Sequence, residues 1–544
     1  MATRRHQHAL VHRTCLSALA WIACGASPAL AQQPAPHAAA SPVWFDPGWA
    51  TPNTQAGQAA RAVIWFDQQL LGPADRYEDR AAQLKDLPRS QLRRRMVDSL
   101  KQLSDAAWLA ARDHVGELER SGVVRDCVRS WIVSAITCEL PQGDPGPLAL
   151  IPGVRRVYQA PVRSMPPEPV PPPAVPPLPA VDPFRPDPAR ADWNARMLGV
   201  DRVWSEHGIT GRGVLQVVHD FGWTFGPSAI RATLWHNPGE QPGDRIDNDA
   251  NGRIDDVHGF NFDRDDANLG LSGAPLPGGL THGDLTAAML AGREPADSGL
   301  ILGMAPGSRW AAVISTLGIE PAVEWAIEQG ADTYSMSFSI PSMGEMRAHF
   351  RKVMEHAALA GIFFVSGAGN FADSTRPNFA PIPVQMRIPE DIPFAVLGVA
   401  GVGRDGLRPV FSSQGPVEWR TSEYAEGLVA KPDLATINTG LLGIDSLGNA
   451  FVPSARGWSG NSFAGPHLAG VLALMLEADP ELTPWNAREI LMRTARDIGA
   501  AGFDYQAGAG LVDAFRAVTE VRQRRAAKSR VAQPTERPAE GAVR

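Results

Sequence analysis

Between about residue 192 and residue 520, short and continuously apolar runs alternate with segments of helical pattern. The runs are GVLQVVH (213–219), RWAAVIS (309–315), DTYSMSFS (332–339), IFFVSGA (362–368) and FAVLGVA (394–400), with helices expected around 320–330 and 344–360. Strands that are apolar on both faces need helices on both sides, which means a buried, largely parallel α/β sheet. Such sheets carry their sites at the carboxyl ends of strands. The residues just past each run are therefore the first candidates for chemistry.

Four segments supply them. Asp220 follows a strand in QVVHDFGW, His282 opens the small-residue helix of LTHGDLTAAMLAG, and Asn370 ends FFVSGAGN. Ser462 precedes residues 463–476, which are apolar nearly all round and read as a helix buried in the core. A hydroxyl at a helix N-terminus sits beside free backbone donors and positive dipole potential, which suits a nucleophile that leaves a negative oxygen nearby. Taken alone, Ser462 or Asn461 reads more simply as a helix cap. Asp after a strand is a common turn residue, and a single His among 13 carries little. All of them at strand or loop ends of one parallel sheet point to nucleophilic catalysis. An α/β-hydrolase esterase would need its acid and then its His after the serine, but only His467 follows, on the same helix.

In the order Asp, His, Asn, Ser, these blocks resemble the signature segments of subtilisin-like serine peptidases. The matching stretches are VVHDFG, HGDLTAAMLAG, Ala368-Gly369-Asn370 and GNSFAGPHLAG, with YQAGAGLVDAFRAV resembling the family's closing segment. The resemblance implies a three-layer α/β/α fold with a mostly parallel central sheet, preceded by a small α+β pro-domain. It implies a triad of Asp220, His282 and Ser462, an oxyanion hole at Asn370, and a substrate cleft lined by Ser337, Phe338, Ser339 and Gly369. The expected activity is that of a serine endopeptidase on polypeptide substrates. Four residues depart from the family pattern: Phe221 for Thr or Ser, Asp284-Leu285 for Thr-His, Asn461 for Thr, and Ser339 for Gly. None of these removes a catalytic group, and all bear on cleft shape and specificity. The alternative is a catalytically impaired pseudo-protease that binds peptides or partners through the same cleft.

The segment GDRIDNDANGRIDDVHGFNF resembles a calcium loop. Alternating Asp247, Asp249 and Asn251, with Asp256 later, can point several oxygens at one hard cation. Asp/Asn/Gly runs are also ordinary turn chemistry, and position twelve is His258 rather than Glu. A structural Ca2+ is the only cofactor suggested, and the chemistry needs none.

Upstream, Arg4, Arg5 and Arg13 precede an apolar stretch and Ala29-Leu30-Ala31, the order of a secretory signal peptide over 1–31. Residues 32–74 read as a flexible lead rich in Ala, Pro and Gln. Over 75–160, Leu84, Leu87, Leu92 and Met96 recur at helical spacing, and CVRSWIVSAITCEL alternates like a strand pair. WIVSAI and LIPGVRRVY resemble a subtilase pro-domain, so the chain is expected to be a zymogen with its own pro-domain as partner. Proline-rich 161–191 reads as a linker open to cleavage, 192–521 as the catalytic domain, and 522–544 as a disordered basic tail.

Cys127 and Cys138 would remain after signal removal, either paired or as two buried thiols. A net charge of -7 with no long basic block in the middle of the chain gives nucleic-acid binding no footprint. No membrane span is expected, since no run reaches about 18 apolar residues. The expected product is a monomer, secreted or periplasmic.

Overall fold

Val217 and Val218 are consecutive and both buried, yet they join opposite cores, as the two-residue period of a strand requires. The same alternation divides residues 310–314 and 363–365 between the two cores. The computed structural model describes residues 42–50, 59–73, 75–161, 185–271, 280–293, 301–316, 318–341, 343–372, 385–441, 443–444, 451–452 and 458–532. The expected signal peptide (1–31) and most of the linker (161–191) lie outside the described residues.

The N-terminal part holds β1 (Trp44–Phe45), β2 (Ala60–Phe66), α1 (Tyr77–Gln83), α2 (Arg89–Arg120), β3 (Arg125–Ser130), β4 (Ala135–Leu140) and β5 (Val154–Ala160). Its sheet runs β1-β5-β2-β4-β3. Cys127 and Cys138 are bonded to each other across the β3–β4 hairpin. The expectation of a flexible lead over 32–74 is corrected for its described part, because β1 and β2 belong to this sheet and β2 is an inner strand; residues 32–41 and 51–58 lie outside the described residues. ARAVIWF is apolar on both faces for a reason. Ala62, Ile64 and Phe66 enter a core shared with α2, while Val63 and Trp65 enter the core below the central sheet.

The C-terminal part contains β6 (Leu215–His219), β7 (Gly259–Asn261), α3 (His282–Ala291), β8 (Arg309–Ile314), α4 (Ile319–Glu328), β9 (Thr333–Met336), α5 (Met346–Leu359), β10 (Phe363–Gly367), β11 (Val396–Val402), β12 (Leu434–Ile437), α6 (Ala464–Ala478), α7 (Pro484–Thr494) and α8 (Ala514–Ala532). Strand order is β12-β11-β10-β9-β6-β8-β7, and every neighbouring pair is parallel. α3 and α6 cover one face; α4 and α5 cover the other. This is a mostly parallel sheet with helices on both sides. The short strands β7 and β12 are absent from the sequence reading, because three or four residues carry too little pattern.

The small sheet sits on α4 and α5 through polar as well as apolar contacts. Glu324 accepts from Ser130 Oγ (2.8 Å), Trp131 N (2.6 Å) and Ile132 N (2.9 Å). Trp65 Nε1 donates to His349 Nδ1 (2.9 Å), and Lys352 Nζ donates to Leu71 O (3.1 Å). Arg156 of β5 pairs with Glu423 at 2.8 Å.

The disordered-tail expectation for 522–544 is also corrected over its first part, since α8 continues to Ala532. Arg and Ala are strong helix formers. Arg524 pairs with Glu520 one turn back (2.8 Å), and Arg525 Nη1 donates to Ala478 O (2.7 Å). Residues 533–544 lie outside the described residues. Among the described residues no helix is long and apolar enough to cross a membrane.

Candidate active site

Adjacent strands β6, β9 and β10 end at one edge of the sheet, so the residues that follow them meet there. Asp220 follows β6, Ser337 follows β9, and Asn370 comes three residues after β10. Ser462 lies in the single 3-10 turn Asn461–Phe463 that leads into α6. His282 opens α3, whose start is fixed by a capping box between Thr281 and Asp284. His282, Asn370 and Ser462 line one cleft of about 480 Å³ together with Ser337, Phe338, Ser339 and Gly369.

The Asp220 carboxylate is 2% exposed and accepts from three groups. His282 Nδ1 lies 2.8 Å from each of its oxygens. Thr286 Oγ1 donates at 3.0 Å and Phe221 N at 2.8 Å. A carboxylate only accepts, so the ring carries its proton on Nδ1 and keeps the Nε2 lone pair free. Burial pulls the imidazole pKa down, but the charge and hydrogen bond of Asp220 outweigh it and raise it. His219 and His467, also near the cleft, differ. Burial drags each down to about 4, and each is tied by hydrogen bonds, His219 to Ser315 O (2.8 Å) and His467 to Phe463 O (2.7 Å).

Asn370 is oriented from below. Asn461 N donates to Asn370 Oδ1 at 2.9 Å, so the Asn370 amide nitrogen is left as the donor. Asn461 is fully buried, donating to Gly369 O and to Ser412 Oγ (3.0 Å) and accepting from Asn438 Nδ2 (2.7 Å). Ser337 Oγ donates to Ser462 O at 2.8 Å and fixes the Ser462 turn against β9. Gly367 admits that turn, since a Cβ there would lie 1.9 Å from Asn461 O.

Compared with known families, residues 187–510, more than half of the chain, match the description "Subtilase family". The chain belongs to the subtilase family. It is 27% identical over 259 residues to fervidolysin of Fervidobacterium pennivorans, covering 43% of this chain and 34% of fervidolysin. To Mycosin-1 of Mycobacterium tuberculosis it is 29% identical over 313 residues, 50% of this chain and 66% of that protein. The alignments thus span a third to two thirds of these relatives. The crystal structure of fervidolysin, titled a keratinolytic enzyme related to subtilisin, superposes with a TM-score of 0.52 at 18% identity. That superposition covers 88% of this chain and 63% of fervidolysin, and it speaks for the fold.

Two departures from the subtilase pattern gain a physical account. Asp284 is buried and accepts from Thr281 N (3.0 Å) and Thr224 Oγ1 (2.7 Å), so it staples the loop after Asp220 to the start of α3. Asn461 supplies the amide that ties Gly369 and Ser412 beneath the cleft. Thr286, which the sequence reading misses, steadies Asp220 from one helical turn past His282.

The acidic loop has a different centre from the expected one. Carboxylate oxygens of Glu240, Asp249 and Asp256 lie within 4.8 Å of one another. Asp247, expected among the ligands, instead accepts from Asn251 N (3.1 Å) and Gly252 N (2.8 Å) and closes a turn. Asn251 bridges Asp249 (3.1 Å) and Asp256 (2.9 Å) through Nδ2. Glu240 is 5% exposed, and its Oε2 has no hydrogen-bond partner among the described residues. Three hard oxygen donors, one of them buried and unsatisfied, fit an oxygen-preferring divalent cation.

Proposed function

We propose that this subtilase is a secreted or periplasmic serine endopeptidase that acts through Asp220, His282 and Ser462. The observation that carries the reading is the grip of Asp220 on His282 Nδ1, with the ring lining the same cleft as Ser462. His282 Nε2 takes the Ser462 hydroxyl proton as Oγ attacks the scissile carbonyl, and Asp220 stabilises the imidazolium. The negative oxygen is held by Asn370 Nδ2 and the Ser462 backbone N–H. The proton passes to the leaving amine, and water then repeats the sequence to release the acyl group. Replacing Ser462 by Ala should abolish both casein hydrolysis and self-processing. Wild-type protein that neither hydrolyses casein nor matures would overturn the assignment.

The small N-terminal domain is read as a pro-domain removed within residues 161–191. Support comes from its docking on α4 and α5 and from the proline-rich stretch behind it. The basic, apolar, small-residue leader and the Cys127–Cys138 bond support export to an oxidising compartment. Glu240, Asp249 and Asp256 would hold a structural Ca2+, which supplies rigidity to the loop and no step of the reaction.

A further inference from the structure

Beside Asn370 the cleft has an unusual floor. Ser339 lines it, and Ser339 Oγ donates to Glu390 Oε1 at 2.7 Å. With its hydrogen committed to the carboxyl, the Ser339 oxygen offers only lone pairs to a guest. Glu390 is 0% exposed and also accepts from Arg387 N at 3.0 Å through the same oxygen. Its other oxygen, Oε2, is buried without a hydrogen-bond partner among the described residues.

Gly369 and Phe371 line the cleft beside this carboxyl. Gly369 has φ +88, and a Cβ there would lie 3.0 Å from Glu390 Oε1 and 2.8 Å from Phe371 Cδ2. Part of the cleft lining is aromatic, with Phe221 and Phe338 6.1 Å apart between ring centroids. Methylenes can lie along such a wall while a charged head reaches further in. Burial, the largest cause, holds the Glu390 carboxyl up to about 8 despite the hydrogen bond from Ser339. The neighbouring Asp391 pushes the same way while paired with Arg347 at 2.8 Å. The Arg387 guanidinium also acts on Glu390 and Asp391, yet the Glu390 carboxyl stays raised, so the floor is a buried acid only partly compensated.

We infer that the Ser339–Glu390 pair makes this cleft select peptides with lysine or arginine as the residue on the acyl side of the scissile bond. The inference rests on the peptidase reading above and names its substrate class. A guest ammonium or guanidinium would meet the Ser339 lone pairs and add to the positive charge that Arg387 sets against Glu390. A neutral side chain of the same length would do neither.

The test uses peptides that differ only at that residue, lysine against norleucine and arginine against citrulline. A hydrogen bond to a charged group is worth about ten- to hundredfold, so kcat/KM should favour the cationic member by that factor. Glu390→Gln and Ser339→Ala should each bring the two ratios toward one, a change that a merely structural role would not produce. Wild-type ratios at or below one, or ratios unchanged in the folded variants, overturn the inference. Competitive binding of the same peptides to Ser462→Ala reads the pocket without the chemistry. A charge preference in binding without hydrolysis by the wild type would sink the peptidase reading and leave only the preference of the pocket for a cation. Equal binding of both members would sink this one alone.

Discussion

Asn461 donates its backbone N–H to Asn370 Oδ1 and its side-chain amide to Gly369 O, so one buried residue orients both Asn370 and the cleft wall. Losing one oxyanion donor generally costs about 10²–10³-fold in kcat. Asn370→Ala should show that loss with KM little changed, measured on a peptide substrate. The raised pKa of His282 fixes a pH dependence with a definite sign. The base must be neutral to accept the serine proton, so the acidic limb of kcat/KM should lie above the ordinary histidine value of about 6.5. Asp220→Asn should move that limb to lower pH. For stability the same shift acts in reverse. The Asp220–His282 contribution is complete below the unfolded pKa and is lost as pH rises through the folded one. At this scale the sequence shows Asp220, His282, Asn370 and Ser462, because each sits where a strand ends or a helix starts. Thr286, Glu240 and Glu390 are not visible there. Each reaches its site only through tertiary packing, and a Thr inside a helix or a Glu in a loop carries no local signal of that.

α4 and α5 serve two structures at once, covering the central sheet and receiving the small domain. Glu324 alone accepts three donors from the end of β3 and the turn after it. Each buried donor left without a partner costs about 1–3 kcal/mol. Glu324→Ala should therefore loosen the small domain, seen as faster hydrogen exchange in β3 and β4 with the central strands unchanged. Equal protection in both proteins would contradict this account of the interface. The β6–β11 strands announce themselves by apolar runs, apart from three-residue β7 and from β9, whose Thr-Tyr-Ser-Met alternates. β2 is hidden by its surroundings, since Ala, Pro and Gln flank it and only seven residues carry the pattern. Likewise the charges of α8 suggest a loose tail, yet its Arg residues pair with Glu520, Glu489 and the end of α6.

Over the whole molecule, the parallel sheet sets three strand ends side by side, and the pre-α6 turn delivers the fourth group to them. The acidic loop near β7 stands apart from this chemistry, so a cation held there would act on stability. A cation present at a hundredfold above its Kd adds about 2.7 kcal/mol. A chelator should lower Tm, calcium should restore it, and Glu240→Ala should lose that response. A Tm indifferent to chelator would remove calcium from the account. Labelling with a fluorophosphonate, followed by peptide mapping by mass spectrometry, tests Ser462 as the nucleophile. One adduct is expected, on Ser462, and it disappears in His282→Ala. A folded wild-type protein with no adduct, or with its adduct on another serine, would contradict that role.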